Sequence, residues 1–170
     1  MKYSPLSSHL FLASAIASLL TILLLASMSA SATANEHHLN IDKRGVAIKG
    51  YDPVAYFVQN SAVKGDKTIS EEHQGALYYF SSPAHRELFK KNPEQYLPQY
   101  NGYCAFGVTK NRKFDIDPKA FEVVNGKLYL NLNKKVQKIW TKNKAEFITE
   151  ANDNWLKIEK ISDKQLAKDW

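Results

Sequence analysis

Apolar and polar positions divide this chain into two unlike parts. From Leu10 to Ser27 the residues are almost unbroken apolar, and Lys2 is the one charged residue before Glu36. Beyond that run, short apolar patches alternate with turn residues. Gly45 to Gly50 predicts a short strand bounded by glycines. Asp52-Pro53 predicts a helical turn continued by Val54, Ala55, Tyr56 and Phe57, because aspartate accepts from orphan amides and proline suits the first helical position. Residues 68–72 and 76–81 predict two strands joined at Gln74-Gly75. Ser82-Pro83 repeats the cap-then-proline start of a helix over 84–91. Its spacing puts His85, Leu88 and Phe89 on one inward face. Asn92-Pro93 stops this helix and opens a turn over 94–97. Asn101-Gly102 predicts a turn into an aromatic strand over 103–108. The hairpin over 121–130 is the clearest, with β-formers flanking Asn125-Gly126. Asn133 is placed to cap a helix carrying Val136, Ile139 and Trp140. Another helix carries Phe147, Ile148, Ala151 and Trp155, and residues 161–170 predict a charged terminal helix. Strands and helices mix without a regular βαβ rhythm. The expected fold is α+β, one small domain with short antiparallel hairpins packed against several short helices.

The first apolar run changes the picture of the whole. Small residues follow it, and Ala32-Thr33-Ala34 fits the cleavage pattern of a secretory signal peptide. The competing reading is an uncleaved anchor, since the run approaches the roughly 18–20 residues needed to span a bilayer. The expected organisation is a signal peptide over 1–34, an N-terminal segment over 35–49, a domain over 50–155 and a helical tail over 156–170. Localisation would then be periplasmic or secreted. The formal net charge is +6, or +5 without Lys2. The lysines are spread, and the pairs Lys90-Lys91 and Lys134-Lys135 read as solvated faces. A nucleic-acid partner is therefore not expected, and membrane contact is expected only through the first segment if it stays uncleaved. A single cysteine excludes an internal disulfide.

Residues 78–108 gather the candidate chemistry: Tyr79, His85 and Cys104. Imidazole and thiolate suit zinc or copper, and Tyr79 can add a phenolic oxygen or a hydrogen bond. The same Cys–His pair could serve a thiol enzyme, but aromatic surroundings raise a thiol pKa and no helix N-terminus is evident after Cys104. Ordinary core roles for His85, Cys104 and the many tyrosines stay open. Cleavage after Ala34 would create the start Asn35-Glu36-His37. Its amine, two amides and third-position imidazole suit Cu(II) or Ni(II). Glu71-Glu72 and Asp115 read as solvated acids, and Asp52 and Asp117 as caps. No phosphate-cradling glycine loop or nucleophile elbow is present.

The pieces GYDPVAYF at 50–57, GALYYFSS at 75–82, Phe89-x3-Pro93-x2-Tyr96, LPQYNGYCAFGV at 97–108 and GKLYLN at 126–131 together resemble the YHS domain family, most of all its exported stand-alone branch. The resemblance spans about 50–155. It implies a small α+β fold and metal handling. Metal-associated members carry cysteines where this chain has Ala55, Ser81 and His85, so only one of those positions keeps a ligand-capable group. The resulting expectation is an exported, non-catalytic domain that binds a metal ion, copper first and zinc otherwise, or a small ligand. His85 and Cys104 are the candidate ligands, with Tyr79 in support and His37 as a separate site. The alternatives are an interaction module for another envelope protein and a thiol-dependent enzyme using Cys104 and His85.

Overall fold

The computed structural model describes residues 38–167. The expected signal peptide, its cleavage point and His37 lie outside the described residues. No described helix is long and apolar enough to cross a membrane.

Six α-helices and four β-strands are found among the described residues. In chain order they are α1 (Ala55–Val58), β1 (Asp66–His73), β2 (Ala76–Phe80), α2 (Pro83–Lys91), α3 (Ala105–Thr109), β3 (Asp117–Val124), β4 (Lys127–Asn131), α4 (Lys134–Lys142), α5 (Lys144–Ile158) and α6 (Asp163–Ala167). β1 pairs antiparallel with β2 through the Gln74-Gly75 turn, and β3 with β4 through Asn125-Gly126. The residues at both turns have positive φ: Gln74 at 49°, Gly75 at 80°, Asn125 at 51° and Gly126 at 71°. That backbone suits a tight two-residue hairpin. The fold is α+β with two small antiparallel hairpins, as the sequence pattern predicts.

Two apolar clusters form the core. One gathers Val54, Tyr56, Tyr78, Phe80, Phe89, Tyr96, Cys104, Leu128 and Leu130. The other gathers Tyr100, Ala105, Val108, Tyr129, Trp140, Ala151 and Ile158. Alternation along β4 sends Leu128 and Leu130 to the first and Tyr129 to the second, so this strand is covered on both faces. β2 alternates too, but only one face is closed: Ala76, Tyr78 and Phe80 are buried, while Leu77 and Tyr79 are half-buried on the outer side.

Ser82 Oγ accepts from the His85 amide at 3.2 Å and starts α2. Asn133 Oδ1 accepts from the Val136 amide at 2.9 Å and starts α4. Four local expectations are corrected. Residues 46–50 form bridges and a left-handed turn rather than a regular strand. Leu88 faces solvent, not the core, because it lies at the edge of the apolar stripe of α2. Asp117 caps no helix; it opens β3, and its Oδ1 accepts from the Lys119 amide at 2.9 Å.

The fourth correction matters most for the site. Residues 103–108 form no strand; Ala105–Thr109 is helix α3. Five residues are too few for a helix to hold itself, and distant side chains close both ends. Cys104 Sγ accepts from the Gly107 amide at 3.4 Å, and Asn131 Oδ1 accepts from the Phe106 amide at 3.4 Å. At the other end Asn154 donates to the carbonyls of Val108 and Thr109 at 3.3 and 2.9 Å.

Candidate functional site

Asp52 is the hub of the most connected polar site. Its side chain is fully buried. Oδ1 accepts from the amides of Val54 and Ala55 at 2.9 and 3.3 Å, which is the capping role the sequence predicts. Oδ2 does something the sequence does not reveal. It accepts from the Ser81 amide at 2.8 Å, the Ser81 hydroxyl at 2.6 Å and His85 Nδ1 at 2.6 Å. One carboxyl group thus ties α1 to the end of β2 and the first turn of α2.

The local sequence explains the convergence. Ser81 follows the last residue of β2, Ser82 caps α2, and His85 sits one turn into that helix, so positions 81 and 85 stack on one side. Because Oδ2 accepts, Nδ1 carries the hydrogen, and in the neutral ring the lone pair is then on Nε2. Nε2 has no protein partner among the described residues, and the His85 side chain is 12% exposed. A carboxylate behind one ring nitrogen, with the other left free, is how metal-binding imidazoles are usually held. The arrangement is not a serine nucleophile triad. Ser81 lies on the carboxylate, 3.3 Å from Nδ1, whereas a nucleophile would have to meet Nε2.

Cys104 has different neighbours. It is buried at the start of α3, where Sγ accepts from the amides of Gly107 and Leu132 at 3.4 and 3.2 Å and approaches Asn131 Oδ1 at 3.9 Å. A helix N-terminus does follow it, contrary to the sequence expectation. Even so, burial pushes the thiol above its ordinary value, and the amides of Gly107, Leu132 and Phe106 offset this only in part. No hydrogen bond joins Cys104 to His85, and their partners do not overlap.

Tyr79 stands on the outer face of β2, where its ring lies against Gly50. A Cβ on Gly50 would come within 3.0 Å of that ring. Tyr79 lines an open cleft of about 520 Å³ with Arg44, Lys49, Lys64, Lys67 and Ser81. Ser81 is the residue common to this cleft and the Asp52–His85 cluster. Among the described residues, no three His, Cys, Asp or Glu side chains gather into a metal-holding group. The donors fit a single-imidazole anchor, not a closed tetrahedral centre of the structural zinc type.

Sequence reading missed Asp52 as more than a cap and Ser81 as more than a replaced cysteine. The signal available was the spacing of Ser81 and His85, four apart across a capped helix start. A buried aspartate thirty residues earlier in the chain leaves no local trace.

Among known families, the model of the YHS domain matches residues 54–100. The matched segment runs from α1 to the turn after Pro98. It contains Tyr79, Ser81 and His85, while Asp52 and Cys104 fall outside it. No curated protein and no solved structure matches the chain.

Proposed function

We propose that this chain, whose residues 54–100 match the YHS domain model, is an exported, non-catalytic binding module that holds a metal ion through His85 Nε2. Metal handling is what the family association supports. Copper is the first candidate and zinc the second, because imidazole nitrogen suits both. One observation carries the reading: the fully buried Asp52 carboxyl fixes His85 Nδ1 at 2.6 Å and leaves Nε2 as the open donor. Asp52 and Ser81 orient the ring. The remaining coordination positions fall to solvent, to a small ligand or to a second donor that arrives with a partner. Cys104 contributes packing and the cap of α3.

The experiment is titration of the processed protein with Cu(II) and Zn(II), followed by spectroscopy and calorimetry. His85→Asn is the informative variant. The amide nitrogen reproduces the Nδ1 donor to Asp52 but removes Nε2. Loss of metal binding with thermal stability nearly kept supports the reading. Undiminished binding refutes it. Asn35-Glu36-His37 is proposed as a separate Cu(II) site, and His37→Ala on the processed chain distinguishes the two.

A further inference from the structure

The cleft beside Tyr79 has a chemistry that a cation site does not explain. Arg44 and Lys49 reach it from one segment and Lys64 and Lys67 from another, so the tertiary fold makes this cluster and a charge run does not. Asp66 is the one acid on its wall, and its carboxylate is turned to the Thr68 amide and hydroxyl, both at 2.8 Å. The acids that pair with the cations stand elsewhere. Asp42 holds Arg44 at 2.8 Å and Asp115 holds Lys49 at 2.7 Å, and both acids line the neighbouring hollow. Lys64 has no carboxylate partner among the described residues. Its ammonium is instead fixed over the Tyr51 ring at 4.7 Å and on the Lys49 carbonyl.

Three of the four cations are thus held before any ligand arrives, which lowers the ordering cost of binding. Lys49 itself sits at φ 52° between Ile48 at φ 50° and Gly50 at φ 75°. A left-handed β-branched residue is strained, and the strained turn presents Lys49 at the cleft. The hydroxyl of Tyr79 adds a neutral donor, while that of Ser81 is already given to Asp52 Oδ2. We propose that this cleft is a binding site for a small, multiply charged oxyanion, a phosphoryl or sulfate group. Guanidinium and ammonium groups give such a ligand charge-assisted hydrogen bonds, and the open volume leaves room for a substituent on it.

Inorganic phosphate is the probe, followed by amide NMR at constant ionic strength held with chloride. The amides of Gly50, Gly65, Tyr79 and Ser81 shift and saturate. Lys64→Gln/Lys67→Gln weakens phosphate about tenfold or more. Lys134→Gln/Lys138→Gln on α4 removes equal charge far along the chain and leaves the affinity unchanged. Vesicles of phosphatidylglycerol form the second arm. Competition between vesicles and phosphate for the same amides places the oxyanion on a lipid headgroup; phosphate binding without competition places it on a soluble molecule. No shift at these amides with either probe overturns the proposal, as does equal weakening by the α4 pair. The metal reading stands or falls separately, on His85.

Discussion

Asp52→Ala tests whether one buried carboxyl organises this site. The substitution removes five accepted hydrogen bonds at 2.6 to 3.3 Å. The Ser81 hydroxyl can turn to another acceptor, and the His85 ring, 12% exposed, can meet water at its open edge. The amides of Val54, Ala55 and Ser81 cannot easily do either. An unmatched buried donor costs about 1–3 kcal/mol, and relaxation recovers part of it, so the expected loss is about 3–5 kcal/mol. That is a large share of the roughly 5–15 kcal/mol by which such domains are stable, and it lowers Tm by roughly 10–20 °C. Urea unfolding and a thermal melt read it directly. Asp52→Asn is the sharper variant, since it keeps volume and the Oδ1 cap but turns an amide donor toward three donors. It is expected to cost about 2–4 kcal/mol. Asp117→Ala, from the other Asp-Pro pair, is the control and is expected to cost under about 1 kcal/mol. If Asp52→Asn melts within about 0.5 kcal/mol of wild type, or if the two alanine variants lose equally, the hub argument is wrong.

Other outcomes follow from the same geometry. Burial lowers Lys113 to about 8, against opposing pulls from Asp163 and Glu159, although its ammonium also meets the carbonyls of Glu159 and Ile161. The unfolded chain then binds more protons than the native one above about 8, so this lysine makes stability rise with pH until the unfolded lysine titrates. Tyr56, Tyr78 and Tyr100 are raised by burial, which makes stability fall above about 10. Denaturant midpoints across this range should rise and then fall, and Lys113→Met should remove the rise. Cys104 should resist alkylation in the native protein near pH 8 and react once denaturant is added; fast native labelling would contradict its burial. Gly65→Ala should cost about 2 kcal/mol or more, because its Cβ would lie 2.5 Å from the Tyr79 backbone. Gly75→Ala, with open space around it and φ of +80°, should cost about 1 kcal/mol, and paired urea melts compare the two.

The hairpins were legible because turn chemistry and alternation are local. Asn125-Gly126 needs only its own backbone preference, and the strand pair over 68–81 needs only its β-formers and the Gln74-Gly75 turn. The starts of α2 and α4 were legible for the same reason, since Ser82 and Asn133 cap amides three residues away. The stretch 103–108 was misread because aromatic and β-branched residues around a glycine favour a strand on their own. Asn131 and Asn154 reverse that preference by closing both ends of α3 from far along the chain. Leu88 was misplaced because helical spacing finds a face but not the width of its buried stripe.

By itself, the sequence determined the α+β class, most element starts and the Asp52 cap, all of which depend on neighbours within a few residues. It also marked His85 as a donor, through residue type and the family pattern. Only the tertiary structure gave Asp52 its second set of partners, gave Cys104 and His85 different hydrogen-bond partners and drew four cations around Tyr79. Those are meetings between segments distant in the chain. Burial and the positions of charges in space decide them, and neither can be read from spacing along one strand of residues.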